Sequence, residues 1–121
     1  MDSTTAVSAL SALAQASRLA VFQTLVELGP EGAFPSELAQ RLEIPPNTLS
    51  FHLKTLAHAG LVTSAASGRF VRYRADFARM QQLVDFLTRN CCGGDPSRCA
   101  PATSAAAARP ARSAAVARPA R

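Results

Sequence analysis

A small, mainly α-helical domain carrying one two-stranded β hairpin is the fold class this chain predicts, and three observations predict it. Apolar residues recur at helical spacing in five segments separated by glycine and proline. Between the fourth and fifth segments, residues on either side of Ser67-Gly68 read as two short strands and a turn. The chain has 121 residues, and from Ala100 onward nothing larger than Val or Arg remains to be buried.

The elements follow in order. After polar Asp2-Ser3-Thr4-Thr5, the spacing of Val7, Leu10, Leu13 and Ala14 predicts a short first helix. Ser17 is placed to cap a second helix, whose stripe of Leu19, Phe22, Leu25 and Val26 ends at Gly29-Pro30. Pro35 suits the first turn of a third helix, Ser36 to about Leu42, with Leu38, Ala39 and Leu42 inward. Pro45-Pro46 stops that run and opens a fourth helix, Asn47 to about Ala59, with Leu49, Leu53 and Leu56 buried and Gly60 closing it.

Leu61-Val62 then leads into the hairpin, whose returning strand alternates Val71 and Tyr73 with Arg72 and Arg74. A fifth helix from about Phe77 carries Met80, Leu83, Val84, Leu87 and Cys91 on one stripe, with Gly93-Gly94 as its stop and Asp95-Pro96 opening a turn. Five helices with a hairpin between the fourth and fifth make a winged helix-turn-helix. The third helix, the Glu43-Ile44-Pro45 turn and the fourth helix are its core.

Charge separates the chain into two parts. The net charge is +5, but up to Cys99 nine basic residues meet eight acidic ones, and the last four arginines all lie in the tail. That Ala/Pro/Arg tail, residues 100–121, is expected to be solvated and disordered, beside a folded domain at 1–99. No apolar stretch approaches the ~18 residues of a membrane span and no signal pattern opens the chain, so no membrane partner and a cytoplasmic setting are expected. Thiols stay reduced there. A core this small also makes burial through dimerisation the expectation.

Distribution says more than the sum. From Ile44 to Ala75 there is no acidic residue, while Lys54, Arg69, Arg72 and Arg74 fall inside that window. On the fourth helix Asn47, Thr48, Ser50, Phe51, His52 and Lys54 are expected on or near the outward side, where a recognition helix meets base edges. Asn47 suits adenine, Thr48 and Ser50 are tolerant hydrogen-bonders, and the Phe51 ring suits a thymine methyl. Lys54 would meet phosphate, and Arg69 and Arg72 (with Arg74 beside them) would grip backbone or minor groove. The alternatives are that Phe51 packs in the core and that His52 caps or bridges a neighbouring element.

All three cysteines fall in the run Cys91-Cys92-Gly93-Gly94-Asp95-Pro96-Ser97-Arg98-Cys99. Thiolates so close together look like a trap for a soft ion. A structural disulfide explains them poorly, because adjacent Cα atoms stand about 3.8 Å apart, too close for an unstrained bridge, and an odd count leaves one thiol over. Cys92 to Arg98 also satisfies Cys-x5-Arg, the pattern of some phosphatases and arsenate reductases. It follows a helix rather than a strand, however, and Pro96 removes one N–H from the oxyanion cradle, so no enzyme is expected.

The runs Leu38-Ala39-Gln40-Arg41-Leu42, Leu49-Ser50-Phe51-His52-Leu53-Lys54-Thr55-Leu56-Ala57-His58-Ala59-Gly60-Leu61-Val62 and Gly68-Arg69-Phe70-Val71-Arg72-Tyr73 resemble the ArsR/SmtB repressors over about residues 5–92. The resemblance implies a winged-helix homodimer built on the first and fifth helices. It also implies a palindromic double-stranded operator, released when a metal ion or metalloid binds. Many arsenic-responsive relatives carry cysteines in the helix before the recognition helix, but Pro35 to Leu42 has none here. The helix-five zinc site of other members uses His and acids, yet Asp85 is the only acid on that face and no His follows His58.

Cys91, Cys92 and Cys99 are the remaining candidate, resembling a subgroup with a Cys-Cys pair and a third Cys beyond the fifth helix. Zinc usually wants four ligands. Trivalent arsenic or antimony takes three in a pyramid, so As(III) or Sb(III) is the expected inducer. Another soft ion, thiol oxidation, and a metalloid-sequestering protein without regulatory function stand as alternatives.

Overall fold

The computed structural model describes residues 1–99; the tail assignment for 100–121 lies outside the described residues. Element order is α1 (Ser3–Leu13), α2 (Ala16–Leu28), a 3-10 turn (Gly29–Glu31), α3 (Pro35–Leu42), α4 (Pro46–His58), β1 (Val62–Ser67), β2 (Phe70–Ala75) and α5 (Phe77–Leu87). Two compact units divide the chain, Met1–Leu87 and the segment from Thr88 onward. The first is a winged helix-turn-helix, mainly α with a two-stranded antiparallel wing.

Its core is leucine-rich. Val21 and Leu25 of α2, Leu38 of α3, Leu49, Leu53 and Leu56 of α4, and Leu61 after it are all at most 1% exposed. The α4 stripe is therefore as the sequence spacing requires. α1 differs. It buries Ala6, Ala9 and Ala12, and leaves Val7 and Leu10 largely in the open. Small residues let α1 lie close to the core; of the expected stripe Val7 and Leu10 face outward, while Leu13 is half-buried against the core.

Caps explain the helix starts. The Asp2 carboxylate accepts the Thr5 N–H at 2.8 Å. Ser17 is not the cap of α2: Gln15 is, its side-chain oxygen accepting the Arg18 N–H at 2.8 Å, so the helix begins earlier. Glu37 reaches back to the Phe34 N–H at 2.8 Å and fixes the entry to α3. α3 stops where Glu43 adopts a left-handed conformation, and Pro46 then opens α4 at once. That tight sequence makes the helix-turn-helix corner.

Two boundaries differ from expectation. Ser67 pairs with Phe70, so the wing turn is Gly68-Arg69. Gly68 has φ +66°, the positive φ that a two-residue hairpin turn of type II′ requires at its first position. The second concerns α5, which ends at Leu87, so Cys91 is not on its stripe. Leu83 alone of that stripe is fully buried, while Val84 and Leu87 are exposed. Among the described residues no single helix is long and apolar enough to cross a membrane.

Candidate nucleic-acid interface and thiol site

The N-terminal half of α4 displays Asn47, Thr48, Ser50, Phe51 and Lys54, all exposed. Phe51 is 65% exposed, an aromatic ring with no core to enter. A solvent-facing phenyl amid small hydrogen-bonding side chains suits the edges of bases better than it suits water.

His52 does not belong with them. It is 7% exposed, and its Nδ1 has no hydrogen-bond partner among the described residues. The reason is positional: 49, 52, 53 and 56 are i, i+3, i+4 and i+7, so His52 fills a place on the core stripe. That spacing was the available signal. Burial lowers its pKa from the usual 6.5, and the Arg18 cation lowers it further, so the imidazole is neutral at pH 7. Arg18 itself is held by donating from Nε to the Ala12 carbonyl at 2.6 Å.

On the wing, Arg69 occupies the turn and is exposed, as is Arg74. Arg72, expected to grip backbone or minor groove, makes contacts within the fold. Its Nη1 donates to the Glu31 carbonyl at 3.0 Å, and its Cζ lies 4.2 Å from the Phe34 ring centroid. Phe34 in turn meets Phe70 edge-on, with centroids 5.9 Å apart. Sequence reasoning missed this cluster, because contacts between residues 31–34 and 70–72 leave no local pattern.

The second unit holds the thiol site. Asn90 and Cys92 adopt left-handed conformations, and Gly93 and Gly94 also have positive φ, so the chain reverses sharply after Cys91. Asp95 then accepts from the Ser97 N–H at 3.0 Å and from its hydroxyl at 2.7 Å, which shapes the Pro96–Arg98 turn. The result folds Cys99 back onto the pair.

The sulfurs of Cys91, Cys92 and Cys99 all lie within 4.8 Å of one another. Cys91 Sγ is 3.2 Å from Cys99 Sγ and 3.8 Å from Cys92 Sγ. Cys92 and Cys99 are joined as a disulfide, and Cys91 is a free, exposed thiol. This bridge corrects the expectation that a disulfide explains the cysteines poorly, since the short Cα spacing excludes only the adjacent pair Cys91 and Cys92. The Cys92 and Cys99 Cα atoms stand 6.1 Å apart, inside the disulfide range, because the double-glycine reversal brings residues of sequence separation 7 together.

Comparison with known proteins fits the fold. A helix-turn-helix domain family matches residues 13–65. The solved structure of an ArsR-like transcriptional regulator from Rhodococcus sp. RHA1 is 31% identical, covering 84% of this chain and 93% of that one, with a TM-score of 0.65. HlyU from Vibrio cholerae N16961 is 32% identical over 74% of this chain and 95% of its own, with a TM-score of 0.57. The HTH-type transcriptional regulator YbzH of Bacillus subtilis (strain 168) is 26% identical over 93 residues, 67% of this chain and 93% of the relative. The Rhodococcus and Bacillus relatives are named as transcriptional regulators, the second of the HTH type. Sequence motif, winged fold and relatives agree: this chain belongs to the ArsR family of winged helix-turn-helix transcriptional regulators.

Proposed function

We propose that this regulator is a homodimeric repressor that leaves its operator when As(III) or Sb(III) is held by Cys91, Cys92 and Cys99. The observation that carries this reading is the gathering of three sulfurs within 4.8 Å by a turn of nine residues. Three donors suit a trivalent, pyramidal semimetal, and zinc would want a fourth. Arsenous acid reacting with three thiols forms three As–S bonds and releases three waters, each built from a hydroxyl and a thiol proton. The Cys92–Cys99 bond must be reduced first, by two thiols of a cellular dithiol or glutathione-type reductant that give up two electrons and two protons and become a disulfide, so the ligand-competent state is the dithiol plus Cys91.

DNA is read by Asn47, Thr48, Ser50 and Phe51, with Lys54 and Arg69 on phosphate. Two such helices must reach successive major grooves, roughly 34 Å apart. Val7 and Leu10 on α1, with Val84 and Leu87 on α5, are exposed apolar residues that a second copy of the chain would cover. Closure of the thiol turn, which follows α5 in the chain after three residues, biases how α5 packs against the partner and so alters the spacing of the recognition helices. By linkage the ion weakens DNA only as far as DNA weakens the ion, typically ~1–3 kcal/mol.

A second reading, release of DNA on thiol oxidation, is favoured by the Cys92–Cys99 pairing itself. One experiment distinguishes them: gel shifts with the upstream DNA under reductant, then with arsenite, then with a mild disulfide-forming oxidant. Release by arsenite in the reduced protein supports the metalloid reading; release only by oxidant supports the second. Tight arsenite binding without any effect on DNA would make the protein a sequestering one.

A further inference from the structure

The wing is a two-stranded hairpin, and such a pair is marginally stable alone. Something must hold its angle to the helices. Near its base, Ala33 and Tyr73 exchange two backbone hydrogen bonds of 2.8 Å, so the segment before α3 forms a short third rung beside β2. Gly32 permits this approach: it has φ +64°, and a Cβ there would collide with the Tyr73 carbonyl. Farther out, Arg72 spans from β2 to the Glu31 carbonyl and the Phe34 ring, and Phe70 rests edge-on against the same ring. Phe34 is the residue that enters α3, its amide held by Glu37. The wing is thereby fastened at two levels to the segment that leads into the first helix of the helix-turn-helix.

We propose that Arg72 is a positioning residue for DNA binding: by gripping Phe34 and the Glu31 carbonyl it sets the wing's angle to α3 and α4, and so aims Arg69 and Phe70 at the duplex flanking the recognition site. Arg69 sits in the turn, and Phe70, 61% exposed, stands next to it. A cation beside a solvent-facing ring is the chemistry of a probe for the sugar-phosphate walls of the minor groove. Arg72 suits the anchoring role because its planar guanidinium stacks on an aromatic face while still donating in-plane to a carbonyl. A lysine ammonium offers a point charge without that shape. This inference rests on the DNA-binding reading and is independent of the thiol chemistry.

The test uses the full chain, reduced and without inducer. Binding to a labelled duplex of the DNA upstream of its own gene is followed by fluorescence anisotropy over a KCl series. Arg69→Ala, which removes a direct phosphate contact, should weaken binding and lower the salt slope by about one. Arg72→Ala and Arg72→Lys should each weaken binding about tenfold with the slope unchanged. The double variant of Phe34→Leu with Arg72→Ala should bind no more weakly than the worse single variant, as for residues acting through one contact. A lysine variant that binds like wild type, or a slope reduced by about one in Arg72→Ala, would overturn the inference alone. A wild-type chain that binds no duplex overturns the operator-binding reading and the inference together.

Discussion

Cys91 Sγ lies 3.2 Å from Cys99 Sγ, across a turn that brings together two residues eight positions apart in the chain. Cys99 meanwhile is joined to Cys92. The same three atoms therefore serve either as one disulfide and one thiol or as three thiols, and only the second state offers three ligands.

The first prediction follows from that arithmetic. Protein with the Cys92–Cys99 bond intact should show one thiol per chain by a chromogenic thiol assay and should bind arsenite weakly. After reduction it should show three and bind tightly. Cys99→Ser should keep operator affinity yet resist induction; normal induction by arsenite in that variant would mean the trio is misassigned.

Phe51 is the most exposed large apolar residue of the described chain, so its removal should leave folding nearly untouched, within about 0.5 kcal/mol. Phe51→Ala and Asn47→Ala should instead weaken specific operator binding by roughly 1–3 kcal/mol each while sparing non-specific duplex binding. Anisotropy with specific and scrambled duplexes, paired with thermal melts, checks both halves.

His52 makes stability depend on pH in one direction. Its folded pKa is lowered, chiefly by burial and then by Arg18, whereas the unfolded chain titrates near 6.5. Between the two values the unfolded state binds more protons, so stability falls as pH falls. The contribution is fully present above 6.5 and is lost on descending through the folded value. Denaturant midpoints should be flat above neutrality and decline below pH 6.5, and His52→Gln should flatten that decline. The lowered carboxyl of Asp2, held by Thr5, acts in the same sense only below its usual 3.8 and does not overlap.

Exposed Val7 and Leu87 offer a test of assembly. Val7→Asp and Leu87→Asp should leave the monomer folded, shift the mass measured by light scattering from dimer to monomer, and abolish tight binding to a two-half-site operator. Dimers that survive both substitutions would place the subunit contact elsewhere.

The order of elements, the helix-turn-helix corner and the leucine stripe of α4 are written in local spacing and in glycine and proline, because they depend on backbone preferences within a few residues. The cysteine cluster was legible for the same reason: its three thiols are neighbours in the chain. His52 shows the limit. Its spacing put it on the core stripe, but its polarity argued for the surface, and packing prevailed.

Tertiary structure alone decided what Arg72 does and which thiols pair. Arg72 looks like any wing cation until the fold brings Phe34 and Glu31, some forty residues earlier, within reach of its guanidinium. Cys92 and Cys99 pair because positive-φ glycines reverse the chain between them. Local propensity reports on one stretch of backbone at a time, whereas a contact between distant stretches exists only once the core has set their distance and angle.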